Sequence, residues 1–273
     1  MQPPDPTVDT AATAPTLGEL AALLERAEAA RRPMAPLTEL RPGLTVAEAY
    51  VVQETNTRLR LAAGDRLAGR KVGLTSAPMQ RQMGVDEPDF GVLFRSMVVG
   101  DGGTIDSARL IAPRIEAEIA FVLGERLAGP AVSVGDARAA VSHVVAAIEV
   151  IDSRIRDWRL TLADTVADNA SSALVITGPA IDADPALLTS LGSECLELTA
   201  DGRSVAKGIG AEVLGDPLEA VAWLARTLHA YGVGIEPGEL VLAGAVHASI
   251  PLTGTTTLSL RSDRLPTLTA TVR

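Results

Sequence analysis

The chain is short of aromatic, sulfur and imidazole side chains, and each shortage removes a class of function. Two tryptophans, two tyrosines and three phenylalanines in 273 residues are too few for base-stacking platforms or aromatic sugar clefts. The core must be built from Ala, Val, Leu and Ile instead. A single cysteine, Cys195, can form neither an internal disulfide nor a thiolate-rich zinc site. His143, His229 and His247 are scattered, so any metal here would be held mainly by oxygen. No window reaches the roughly 18 apolar residues of a membrane span, and the start, Met1-Gln-Pro-Pro-Asp-Pro, lacks the cationic and apolar regions of a secretory signal. These absences point to the cytoplasm and away from the membrane. Positive charge is also scarce: 24 Lys and Arg against 34 Asp and Glu leave a net −10, which argues against nucleic acid and anionic surfaces. A small-molecule partner is the expectation.

What is present reads as a folded chain, 47% apolar and 21% charged, with material for one or two domains. Residues 1–15 carry four prolines and no apolar periodicity and read as a disordered tail. A helical segment follows over 16–70. Its first helix starts at Thr16 with Leu17, Leu20, Leu24 and Ala27 on one stripe, and its second runs from Thr45 to Leu61 and opens with the capping box Thr45-Val-Ala-Glu48. From Lys71 to Arg273 short apolar runs alternate with Gly, Pro and Asp, which predicts at least five strands. A late helix is predicted over 217–231, with Asp216 as N-cap, Pro217 at the first position, Glu219 in capping-box register and Gly232 after its end. Glu236-Pro-Gly-Glu239 then suits a type II turn leading into a buried strand from Leu240. Strands do not alternate regularly with long helices, so the class is α+β with a mixed or antiparallel sheet.

Three stretches could carry chemistry. In Arg114-Ile-Glu-Ala-Glu-Ile-Ala-Phe-Val-Leu123 a strand period puts Ile115, Ala117, Ile119, Phe121 and Leu123 on one face, with Glu116 and Glu118 on the other. Carboxylates about 6–7 Å apart repel, so something cationic should bridge them unless this is an edge strand with both glutamates in water. Val144-Val-Ala-Ala-Ile-Glu-Val-Ile151 sets Glu149 in an otherwise apolar run. A buried carboxylate must be protonated, ion-paired or bound to metal. Three glutamates suit a hard divalent cation that keeps open positions for substrate oxygens, although a simple salt bridge is the plainer alternative. Gly69-Arg-Lys-Val-Gly-Leu-Thr-Ser offers Lys71 among small residues that permit a tight turn beside a strand-like start, and charge arithmetic favours bringing that ammonium to the metal. Gly208-Ile-Gly210 lacks dinucleotide spacing, no P-loop or G-x-S-x-G elbow occurs, and Cys195 reads as an ordinary thiol, so no covalent nucleophile is visible.

Together these residues resemble the 2-keto-4-pentenoate hydratase and 2-oxo-hex-3-enedioate decarboxylase family. The resemblance rests on Lys-Val-Gly-Leu-Thr from Lys71, Gly-Val-Asp-Glu-Pro-Asp-Phe-Gly-Val-Leu from Gly84 and Pro-Arg-Ile-Glu-Ala-Glu-Ile-Ala from Pro113. Ile148-Glu-Val-Ile-Asp-Ser-Arg-Ile and Thr165-Val-Ala-Asp-Asn-Ala-Ser-Ser complete it. It implies a metal-dependent catalytic domain over 71–273 with a fumarylacetoacetase C-terminal-like mixed β-roll and flanking helices, Mg²⁺ or Mn²⁺ on Glu116, Glu118 and Glu149, and Lys71 and Asp89 as acid/base residues. Asp89 is placed on a Pro-Asp-Phe-Gly turn. A glutamate at 149, where related C–C hydrolases typically carry aspartate, favours hydratase or decarboxylase. Ile155-Arg-Asp-Trp-Arg is more like the hydratases. The expected reaction is water addition to 2-hydroxypenta-2,4-dienoate to give a 4-hydroxy-2-oxo acid, with decarboxylation of 2-oxo-hex-3-enedioate as the alternative. A silent, metal-stabilised partner subunit is a third reading. The resemblance also implies a homo-oligomer and a possible complex with a pathway aldolase or decarboxylase.

Overall fold

The structure is a computed structural model that describes residues 14–76, 80–81 and 84–273. The predicted tail falls outside the described residues up to residue 13. Helix α1 (Leu17–Ala30) and helix α3 (Val46–Ala62) both open with complete capping boxes, Thr16 with Glu19 and Thr45 with Glu48, and a short helix α2 (Leu37–Leu40) lies between them. The local signals suffice because each reciprocal box satisfies amides that would otherwise lack partners.

Two sheets follow. The larger contains β1 (Leu67–Gly73), β2 (Asp89–Phe94), β3 (Val98–Gly100), β5 (Arg114–Leu123), β6 (Val141–Ile151), β7 (Ser172–Thr177) and β11 (Leu240–Ala245), in the order β2-β1-β11-β5-β6-β7-β3. The short strands β8 (Ile181–Asp182) and β12 (Ile250–Pro251) attach to β6 and β5. The second sheet is β10-β9-β13-β14-β4, formed by β4 (Gly103–Ile105), β9 (Cys195–Ala200), β10 (Arg203–Ile209), β13 (Thr256–Ser262) and β14 (Leu268–Val272). Parallel pairs β1–β11, β3–β7 and β4–β14 sit among antiparallel ones, so the sheets are mixed as expected. The first strand begins at Leu67, ahead of Lys71.

The predicted alternation in β5 holds. Ile115, Ala117, Ile119, Phe121 and Leu123 enter the main apolar core with Val144, Ile148 and the helix Pro217–Ala230. That helix has Asp216 as N-cap and Pro217 in its first turn, but Glu219 does not close a capping box: its carboxylate takes Arg226 at 2.6 Å instead. A charged partner two turns along the same helix face outcompetes the backbone amide of the cap. Glu236–Glu239 forms the expected turn, with Gly238 at φ 83°.

The N-terminal helices pack on the sheet-bearing part through Leu20, Leu24, Val52, Ile155, Val166 and Ala167. Within this contact buried Gln53 donates from Nε2 to the carbonyls of Phe90 (3.0 Å) and Val166 (2.9 Å), tying α3 to β2 and to the helix Leu162–Ala167. Replacing Gln53 with Leu strands two buried acceptors, and we expect a loss of about 2 kcal/mol, measured as the shift in the urea unfolding curve at unchanged slope.

Candidate active site

The ladder between β5 and β6 sets Glu116 directly opposite Glu149, with Glu118 two residues along the same face. One carboxylate oxygen from each lies within 4.8 Å of the others, and all three residues are buried. Strand β1 brings Lys71 to the same point: its Nζ stands 3.3 Å from both oxygens of Glu149 and hydrogen-bonds one of them. Glu118 accepts from the Gly244 amide at 2.8 Å. Asp89 arrives from β2, whose register sets it opposite Gly73. A Cβ on residue 73 would stand 2.2 Å from Asp89 Oδ1, so only glycine leaves room for that carboxyl. All five residues singled out in the sequence are thus brought to one place.

Two expectations are corrected. Asp89 is the first residue of strand β2, not part of a turn, so the sheet fixes its direction. Residues Gly69–Gly73 form the expected strand-like start, but the glycines serve close packing against Leu240 and Asp89, not a tight turn.

Burial and crowding dominate the electrostatics. Burial and then the charge of Glu149 push Glu116 up to about 7. The same causes, joined by Glu116, hold Glu118 well above the usual carboxylate range. Asp89 is raised by burial, which outweighs the opposing pull of Lys71 and the Thr165 hydroxyl. Burial works against a charged Lys71, but Glu149, Asp89, Glu116 and Glu118 prevail and hold the ammonium above the ordinary lysine value. Asp89 Oδ1 and Glu149 Oε1 are buried without a hydrogen-bond partner among the described residues. Buried acceptors lacking donors, on hard oxygen ligands, are what a divalent cation and its ligands would satisfy. The donor set therefore fits Mg²⁺ or Mn²⁺. His247 is no part of it: Nε2 accepts from the Ala117 amide (3.0 Å) and Nδ1 faces the Ala248 carbonyl (2.8 Å), which fixes a neutral ring.

Lys71, Asp89, Glu116 and Glu118 line a cavity of about 280 Å³. Its wall adds residues that sequence reasoning did not assign: Thr165, Ala170 and Ser171, and nearer solvent Arg114, Trp158 and Ser249. The Arg114 guanidinium lies 4.9 Å from the Trp158 ring centroid and donates to Ser249 Oγ at 3.3 Å. The motif from Thr165 to Ser172 was the available signal for the first three. Tyr50 stacks on Phe90 beside Asp89, with Tyr231 tilted against the one and edge-on to the other, and with Trp223 these make four of the seven aromatic rings in the chain.

The chain belongs to the fumarylacetoacetate (FAA) hydrolase C-terminal family, which it matches over residues 59–273. Among its relatives, a 2-keto-4-pentenoate hydratase of Burkholderia vietnamiensis is 43% identical over 258 residues, 94% of this chain and 97% of that protein. A 2-hydroxyhexa-2,4-dienoate hydratase of Comamonas testosteroni is 43% identical over 222 residues, 81% of this chain and 83% of the relative. A solved structure, 4-oxalocrotonate decarboxylase from Pseudomonas putida G7 complexed with magnesium and adipate, superposes with a TM-score of 0.89 at 35% identity, covering 95% of this chain and 99% of the other.

The raised carboxyl groups make metal-free stability pH-dependent. Glu116 binds its proton more tightly folded than unfolded, so its contribution is complete below the ordinary 4.5 and is lost as pH rises through about 7. In chelator, Glu116→Gln is therefore expected to gain on the wild type in unfolding free energy from about pH 5 to about pH 7.5. Urea titrations of both proteins across that range measure it; parallel curves would contradict the assignment.

Proposed function

We propose that this protein is a divalent-metal-dependent hydratase that converts 2-hydroxypenta-2,4-dienoate-type acids to 4-hydroxy-2-oxo acids. The observation that carries the reading is the meeting of Glu116, Glu118 and Glu149 beside a cavity that Glu116, Glu118 and the buried Lys71 and Asp89 line. Near-full-length likeness to proteins named as hydratases supports the choice of reaction. The three glutamates would hold Mg²⁺ or Mn²⁺, which when bound supplies Lewis acidity for a 2-oxo carbonyl and offsets the carboxylate charge.

The remaining steps belong to the chain's own groups. Ketonisation of the dienol moves its hydroxyl proton and delivers a proton to C5; water then adds across C3 and C4, hydroxyl to C4 and proton to C3. Lys71, kept as an ammonium, stabilises negative charge developing on the substrate oxygen. Asp89, its proton affinity raised by burial, takes a proton from water or passes one to C5. No covalent intermediate is required.

A second reading, decarboxylation of a 2-oxo-hexenedioate, is supported by the superposition on 4-oxalocrotonate decarboxylase. The reading carries with it a cytoplasmic homo-oligomer acting on a diffusible acid. Exposed Val51 and Leu59 on α3 supply apolar surface for assembly; among the described residues no helix is long and apolar enough to cross a membrane.

Product NMR with 2-hydroxypenta-2,4-dienoate and 2-hydroxyhexa-2,4-dienedioate, with Mg²⁺ and with EDTA, separates the reactions. We expect metal-dependent 4-hydroxy-2-oxo acid from the first; loss of CO₂ from the second without hydration of the first would replace hydratase by decarboxylase. Lys71→Ala and Asp89→Asn should each lower kcat about 10²-fold or more at nearly unchanged metal affinity, as lost proton-transfer groups do. Glu149→Gln should instead lose metal while remaining folded, and turnover persisting in EDTA would sink the metal assignment. Light scattering should return a mass above the 28.3 kDa of one chain.

A further inference from the structure

Behind the cavity wall the backbone takes an unfavourable path. Asn169, Ala170 and Ser171 follow one another at φ 55°, 49° and 56°, all left-handed and none of them glycine. Left-handed residues of this kind are disfavoured singly and more so in succession, and they persist only where the surroundings over-determine them. Ala170 and Ser171 line the cavity. Something must hold them there.

We infer that Arg154 is a positioning residue: it holds this left-handed turn against β2 and thereby sets Asp89 in the cavity. The inference rests on the function proposed above. Arg154 is 5% exposed, and its guanidinium reaches both ends of the turn. Nε donates to Asp168 Oδ1 at 2.5 Å, Nη2 to the Asp168 carbonyl, and Nη1 to the carbonyls of Ser172 (3.0 Å) and Asp152 (2.7 Å). The Asp152 amide in turn donates to the Ser171 carbonyl at 2.8 Å. One planar fork thus fixes the residues on either side of the three strained ones, which a lysine, with a single compact charge, cannot do.

The turn is also keyed to β2. Asn169 pairs with Val92 through both halves of its amide, Oδ1 accepting from the Val92 amide at 2.7 Å and Nδ2 donating to its carbonyl at 2.9 Å. Gly91 makes the fit possible, because a Cβ there would stand 2.6 Å from the Asn169 carbonyl oxygen and 3.2 Å from Ala170 Cβ. Asp89 lies two residues before Gly91, and Gly91 faces Lys71 across the β1–β2 ladder. If the turn relaxed to a right-handed path, β2 would lose its pin next to both proton-handling residues. Arg154 touches neither substrate nor metal ligands; it acts through Asn169 and the strand.

Full-length Arg154→Lys, Ala170→Gly and the double variant, loaded with Mg²⁺, test this by turnover of 2-hydroxypenta-2,4-dienoate and by amide exchange. Arg154→Lys should lower kcat about tenfold or more with little change in KM or Mg²⁺ affinity, as small misplacements of acid/base groups do. Exchange in the 89–94 segment should quicken about tenfold. Glycine at 170 accepts the left-handed conformation freely, so the double variant should recover about threefold or more over Arg154→Lys. A merely structural ion pair would give no such rescue. Should Arg154→Lys fail to fold, Asn169→Ala, which cuts only the pin to Val92, carries the same expectation for kcat and exchange. Wild-type kcat in Arg154→Lys, or a loss that Ala170→Gly leaves untouched, overturns the inference. A wild type inactive on the dienoate would count against the proposed function instead, and the exchange measurements alone would then decide the role of Arg154.

Discussion

Four buried carboxylates face one buried ammonium, and most of the site's construction answers that imbalance. Glu116, Glu118, Glu149 and Asp89 are each 5% exposed or less, and Lys71 is their cationic neighbour at 4%. Removing an ion from water costs several kcal/mol even after relaxation, and like charges add to that cost. The fold can hold such a cluster only because a long antiparallel ladder fixes two of its members across from each other, with apolar neighbours on both sides. The raised proton affinities are the other face of the same constraint: until a cation arrives, the cluster relieves itself by holding protons.

Much of this was legible in the sequence because its causes are local. The capping boxes at Thr16 and Thr45 specify helix starts within four residues, and both are formed. Period-two alternation in 114–123 separates the glutamates from the core face without reference to the rest of the chain. Glu149 stood out by contrast, a carboxylate in a run too apolar to be anything but buried. Lys71 followed less directly, from charge arithmetic and resemblance, and Asp89 from resemblance alone, since one aspartate in a loop-like context has no local mark of function.

What stayed hidden depends on distant pairings. The placement of Asp89 on a strand is decided by β1, which lies beyond an intervening segment and supplies both the ladder and the gap at Gly73. Glu219 obeyed the spacing of a capping box yet was claimed by Arg226, a competition that pattern alone cannot weigh. The scarcity of aromatics correctly described the core as aliphatic but concealed that Tyr50, Phe90 and Tyr231, far apart in the chain, meet beside Asp89. The left-handed turn at 169–171 had no compositional sign at all, because Asn-Ala-Ser contains no glycine to announce it.

The division between sheet and loops also bears on how one apparatus can serve both hydration and decarboxylation in proteins this similar. The charged floor is set by β1, β2, β5 and β6, where a shift of one residue would turn Glu116 and Glu118 into the apolar core. Those positions are therefore fixed by register, whatever the substrate. The outer wall has no such constraint: Trp158 and Leu160 come from the connection after β6, and Ala248 and Ser249 from the segment between β11 and β12. Substitutions there change the shape and polarity presented to the far end of a 2-oxo acid without disturbing the ladder. Both reactions need an electron sink at a 2-oxo carbonyl, so one charged floor is compatible with either. Arg114 sits where the two parts meet, on the first residue of β5 with its guanidinium against Trp158. It joins a floor fixed by strand register to a wall built from connecting segments.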